Sequence, residues 1–332
     1  MSDLAQTLSA NLLAPVPLSF ALGLGARALK SEFSLPKDVY AGLSIFLLWS
    51  LGLQGGLELH HASLRAIAGP AAVTLLLGLF TPVSAYLLLR RLGRFGVADA
   101  AGLAAHYGSV SAVTFIVASS FAKAQGFEAE GFMPTLLALL ESPGIHVALA
   151  IGVLGTAKAG GRPVRALLRE VLTGRTMVLL VGGLAVGFLI GDRGWKAIEP
   201  FYDTKGAVFR GALCLFMLEL GVLAGARLGD LRKVGPFLVA FAVVVPVLHG
   251  ALGVWLGTLA GLSPGGASVL GAMAASASYI AAPPAVRLML PEANPTLYLT
   301  AALAITFPFN VLFGVPLYFE LARRLAAGAQ AP

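Results

Sequence analysis

Charge and cysteine are what this chain of 332 residues has least of. Only 12% of it is Asp, Glu, Lys or Arg, against roughly 25% in soluble domains. Hydrophobic residues make up 58%, and the mean hydropathy is +0.86. Those values exclude an ordinary soluble domain. The single cysteine, Cys214, excludes an internal disulfide and any metal site built from cysteines. No HExxH pair, Cys-His cluster or Ser-His-Asp arrangement is present, so an enzyme reading has no constellation behind it. His60 and His61 close an apolar segment, while His106, His146 and His249 stand singly beside small residues. Interhelical hydrogen bonding is their expected role. Asp3 and the lack of an early basic stretch give no expectation of a secretory signal peptide.

What the chain does have is long apolar runs. A helix needs about 20 apolar residues to cross a hydrocarbon core ~30 Å thick. About ten such segments can be placed, at 8–29, 38–58, 64–89, 98–122, 132–155, 175–192, 206–226, 234–260, 265–290 and 296–321. The expected fold class is therefore an all-α polytopic membrane protein. A net charge of +7 invites a nucleic-acid partner, but the placement of the charges argues for none. Basic residues gather in every second loop: Arg27 to Lys37, Arg90 to Arg94, Lys158 to Arg175, Arg227 to Lys233, then Arg287. By the positive-inside rule those loops are cytoplasmic, with both termini outside. A plasma (inner) membrane location and a lipid-bilayer environment follow.

The two halves of the chain share a design. Residues 40–59 lie without gaps on residues 209–228, with Gly42 on Gly211, Gly52 on Gly221 and Gly56 on Gly225. A similar overlay puts Ser109 and Ser111 on Ser276 and Ser278. Both matches fall on the second and fourth helix of a five-helix unit. Five is odd, so the units enter the membrane from opposite faces, which makes an inverted repeat. The expected organisation is a first repeat at 1–155, a basic amphipathic linker at 156–174 and a second repeat at 175–332. Anionic lipid headgroups suffice to hold such a linker at the interface.

The fourth and ninth helices are interrupted by GSVSAVTF at 108–115 and by SASYIAAPP at 276–284. Paired breaks at matching positions of two halves point to a transported-solute site. Hydroxyls from Ser109, Ser111, Ser276 and Ser278, with backbone N–H groups freed after Gly108, suit a small oxyanion. Taken singly, a serine there equally serves close packing or bonds back to its own helix. Glu141 is an intramembrane carboxylate immediately before Ser142-Pro143-Gly144. With Thr114, Ser278 and Tyr279 it forms the candidate cation-binding or coupling set, because carboxylate, hydroxyl and carbonyl oxygens suit sodium. A protonated Glu141 would couple to protons instead. Glu219, in LFMLELGVL, is a second intramembrane acid, with a helix-interface hydrogen bond or an oligomer contact as its competing role.

With those motifs in hand, the chain resembles the sodium-dependent bicarbonate transporter family. The likeness is carried by FRGALCLFMLELGVLAGARLGDLRKVGP at 209–236, PVLHG at 246–250 and SASYIAAPPAVRLMLPEANPTLYL at 276–299. GSVSAVT at 108–114 and LQGG at 53–56 add to it. The resemblance implies ten crossings in two inverted repeats, a mobile core carrying the broken helices, an elevator-like scaffold and a homotrimer. It places bicarbonate at Gly108, Ser109, Ser111, Ser276 and Ser278, with a sodium ion near Thr114, Glu141 and Ser278, and no other cofactor. There are departures. Tyr279 stands where the family commonly has an Asp, Val113 replaces a small hydroxyl residue, Glu219 replaces an apolar one, and Glu141 replaces an Asp. The linker is also short, which argues against the PII-like regulatory protein that the resemblance would suggest. The expected function is cation-coupled import of bicarbonate or a similar small anion. Proton-coupled or uncoupled movement of another small carboxylate is the alternative on the same fold. A membrane anion sensor without net transport is the alternative of another class.

Overall fold

The computed structural model describes residues 11–156 and 173–329, and among these every regular element is helical. The linker expected at 156–174 lies, apart from its ends, outside the described residues. The helices are α1 (Pro15–Ala28), α2 (Lys37–His61), α3 (Leu64–Arg91), α4 (Val97–Tyr107) and α5 (Ala112–Ala124). There follow α6 (Met133–Glu141), α7 (Pro143–Gly155), α8 (Arg175–Tyr202), α9 (Ala207–Arg227) and α10 (Leu231–Leu259). The last are α11 (Pro264–Ala274), α12 (Ala282–Met289) and α13 (Pro295–Leu299). From α13 the helix continues through two π-helical stretches, Thr300–Thr306 and Asn310–Gly314, into α14 (Val315–Ala329).

Seven helical stretches are long and apolar enough to cross a membrane. One of them, Ala207–Leu259, contains two helices, α9 and α10, joined by a single 3-10 turn at Leu228–Asp230. α1 and the broken α11–α12 segment are shorter than a continuous crossing. The polytopic all-helical class read from the sequence is the one observed. Some boundaries moved. The first segment, expected from residue 8, is helical from Pro15, whose ring favours the first helical position. The sixth, expected to stop at residue 192, only kinks there: Gly191 takes φ +53°, and the helix resumes to Tyr202. A second left-handed glycine, Gly235 at φ +76°, turns the chain just before Pro236 near the start of α10.

The helices fall into two groups. α1, α2, α8 and α9 pack chiefly on one another, α2 against α8 and α1 against α9. The remaining helices surround the breaks, with α4 on α7 in one half and α11 on α14 in the other. Glycine seams explain the tightness of the first group. A Cβ on Gly52 would lie 2.8 Å from Gly183 Cα and 2.9 Å from the Leu179 carbonyl oxygen. Such small-residue faces let membrane helices approach backbone to backbone. Further along, Gly56 meets Leu184 and Phe188, so α2 and α8 run parallel. Gly23 meets Leu218 and Val222, and Gly225 meets Arg27, so α1 and α9 run parallel as well. The overlaid glycines behave alike: Gly52 and Gly221 both sit in a seam, while Gly42 and Gly211 both face open space.

Glu219 is buried in α9, where its carboxylate accepts the Leu35 N–H at 2.7 Å. It thereby holds the turn that leads into α2, beside the stacked rings of Tyr40 and Phe216.

Candidate functional site

Both breaks are built by local sequence. α4 ends at Gly108, and a Cβ on its neighbour Gly144 would overlap the Gly108 carbonyl, so the two backbones touch. Ser111 then caps α5, its Oγ accepting from Thr114 N–H at 3.3 Å. In the other half the first turn of α12 carries Pro283, which lacks the N–H that a helix interior needs. Ser278 caps that helix, its Oγ accepting from Ala281 and Ala282 N–H at 3.3 and 3.4 Å. Ser111 and Ser278, paired by the sequence overlay, thus hold equivalent places.

The two breaks are stitched together. Ser111 N–H donates to Ser276 Oγ at 2.8 Å, and Ser276 Oγ donates to the Met273 carbonyl. Ser278 N–H donates to the His106 carbonyl at 2.8 Å. Ser109 Oγ donates to the Glu141 carbonyl at 2.8 Å, tying the first break to the end of α6. Asn310, between α13 and α14, donates to the freed Ala275 carbonyl at 2.9 Å. Backbone groups released by the breaks therefore find partners inside the protein, as a lipid environment demands.

Where the breaks meet lies a small cavity of about 20 Å³, lined among others by Ser111, Glu141, Ser278 and Tyr279. About 10–15 Å³ of such space holds one water, so an oxyanion fits only if the walls part. Ala112 and Val113 also line it. They occupy the first two positions of α5, whose N–H groups have no intrahelical acceptor. Glu141 is 2% exposed, and its Oε2 has no hydrogen-bond partner. Tyr279 Oη lies 3.5 Å from Ser111 Oγ.

Of the residues singled out in the sequence, Ser111, Ser278, Tyr279 and Glu141 come together at this cavity. Gly108, Ser109, Ser276 and Thr114 surround it without lining it. Gly108 serves a close backbone contact, and the hydroxyls of Ser109 and Ser276 are spent on carbonyls. Thr114 Oγ1 is buried and unpartnered. Sequence reasoning missed Ser44 on α2 and Thr176 on α8, which line the opposite wall. Single hydroxyls within apolar helices carry no signal of their own. Asn310 was missed too, although an amide buried in an apolar segment is such a signal.

A second, larger cavity of about 220 Å³ reaches Ile116 from the side of Lys123, Glu128 and Lys205. Ile116 lines both cavities and is 3% exposed, so it forms the partition between them. At the mouth, Glu128 lies 3.4 Å from both Lys123 and Lys205. The Lys205 charge beside Glu128 holds its carboxyl below the usual range.

Comparison with known proteins agrees with this geometry. A family model described as the Na+-dependent bicarbonate transporter superfamily matches residues 15–323, nearly the whole chain. No curated protein matches it.

Proposed function

The chain belongs to the Na+-dependent bicarbonate transporter superfamily, and from that premise we propose that it imports bicarbonate or a similar small oxyanion by cation-coupled secondary transport. One observation carries the reading. Two serine-capped half-helices meet at an enclosed cavity that also holds an unpartnered carboxylate. The α5 N-terminus offers free N–H groups and partial positive charge to an oxyanion. Ser111 and Ser278 add hydroxyls. Glu141, buried without a partner, takes up either a cation or a proton, because a lone buried charge is costly. The cation and the anion then enter as a nearly neutral pair.

The two inverted repeats, both termini outside and a homotrimeric assembly belong to the same proposal. Parallel α2–α8 and α1–α9 pairs are what crossings two and six, and one and seven, require in a chain that alternates direction. A reporter fused after residue 329 checks the orientation, and a cytoplasmic signal from it overturns the proposed topology.

A second reading, proton coupling, has its own support. Glu141 is the one carboxylate lining the cavity among the described residues, and Tyr279 supplies a phenol rather than a second charge. Uptake of labelled bicarbonate into proteoliposomes, under sodium and proton gradients imposed separately, decides between them. No uptake above protein-free vesicles under either gradient refutes the transport reading.

A further inference from the structure

We infer that Ser44 and Thr176, two hydroxyls on the scaffold side of the cavity, are direct ligands of the transported anion in the state described here. The inference rests on the transport reading above and adds residues that the breaks do not contain. Both side chains are buried, at 8% and 6% exposure, and both line the cavity opposite Ser111 and Ser278. They lie at one level. Gly52 of α2 abuts Gly183 of α8 in a parallel pair, and the same register brings Ser44 opposite the first turn of α8.

Neither hydroxyl has a hydrogen-bond partner within the described protein, and that sets them apart from their neighbours. On the same helix α2, Ser50 donates to the Phe46 carbonyl at 2.8 Å. Thr74 and Thr81 on α3 bond back to Pro70 and Leu77 in the same way. A buried hydroxyl ordinarily finds a partner, and back-bonding is the local default in apolar helices. Ser44 and Thr176 forgo it where a cavity lies in front of them. A polar molecule in that cavity is the partner left to them, and an oxyanion can accept from both walls at once.

The two walls belong to different helix groups, so these contacts depend on how the groups are apposed. If the breaks slide along the α2–α8 wall during transport, the anion keeps Ser111 and Ser278 throughout but meets Ser44 and Thr176 in one end state. Loss of either hydroxyl then weakens binding without unfolding the protein.

The test is initial uptake of labelled bicarbonate into proteoliposomes by wild type, Ser44→Ala, Thr176→Val, Thr176→Ser, Ser50→Ala and Ser111→Ala, each checked for thermal stability. One lost hydrogen bond corresponds to a KM raised about fivefold. We expect that rise for Ser44→Ala and Thr176→Val, with near wild-type values for Thr176→Ser and for the back-bonded control Ser50→Ala. Should Ser111→Ala raise KM while Ser44→Ala and Thr176→Val do not, the scaffold ligands are overturned and the transport reading stands. An unaltered KM in all variants overturns both.

Discussion

Three serines at the first break are separated by only a few residues, and their surroundings assign them different tasks. Ser111 and Ser278 face the cavity and cap α5 and α12. Ser109 faces away and donates to the Glu141 carbonyl. Replacing Ser111 or Ser278 by alanine removes a cap, worth about 1 kcal/mol, and a hydroxyl contact to a charged ligand, worth about 1.5–3 kcal/mol. The second term acts only on the liganded state. At about 1.4 kcal/mol per factor of ten, the KM for bicarbonate should rise roughly tenfold to a hundredfold. Ser109→Ala forfeits one neutral hydrogen bond, about 1 kcal/mol of stability, with little change in KM. Initial uptake in proteoliposomes reads the first effect, and thermal unfolding in detergent reads the second. The division of labour is refuted if Ser109→Ala raises KM as much as Ser111→Ala does. It is equally refuted if both cavity-facing variants keep the wild-type KM.

Much of this arrangement was legible in the sequence because membranes leave few options. Apolar runs fixed the helical class, since hydrocarbon admits little else, and the serine-rich interruptions marked where the helices break. The gapless overlay anticipated that Ser111 and Ser278 play equivalent parts, and the structure makes both of them caps. What the sequence could not supply was direction. Ser109 and Ser111 are two residues apart in an irregular stretch, with no periodicity to say which faces a cavity. The answer depends on α6 ending at Glu141 and presenting its carbonyl to Ser109. Glu219 posed a similar problem. Its partner, the Leu35 N–H, is 184 positions away, and nothing in LFMLELGVL says that a turn of chain lies against it. Ser44 and Thr176 were illegible for a simpler reason: a lone hydroxyl reads the same whether it bonds back or stays free.

Gly144→Ala places a methyl group against the Gly108 carbonyl, which is backbone and cannot swing aside. A cost of about 1–3 kcal/mol is expected, read as a lower thermal midpoint; an unchanged midpoint would show that the two segments are not in contact. At the outer cavity, Glu128 is 59% exposed and its partners are lysines, so Glu128→Gln should alter uptake less than about twofold at neutral pH. Its lowered pKa gives the sign: the ion pairs persist above that value and are lost as pH falls through it. Any difference between wild type and variant should therefore vanish in acid, and a difference that grows as pH falls counts against the pairing. The coupling prediction concerns Glu141. It is the one carboxylate lining the site among the described residues, it has no partner for Oε2, and Tyr279 beside it is a neutral phenol at neutral pH. Whichever cation accompanies the anion has this group as its formal counter-charge. Glu141→Gln keeps the shape and removes the charge, so it should abolish the response of uptake to both sodium and proton gradients. Tyr279→Asp supplies a second carboxylate and should steepen the dependence on sodium, because hard cations bind more tightly as carboxylate ligands are added. The measurement is initial uptake against sodium concentration at fixed pH for wild type and both variants. A steep sodium requirement that survives Glu141→Gln would remove Glu141 from the coupling mechanism and place the cation elsewhere in the protein.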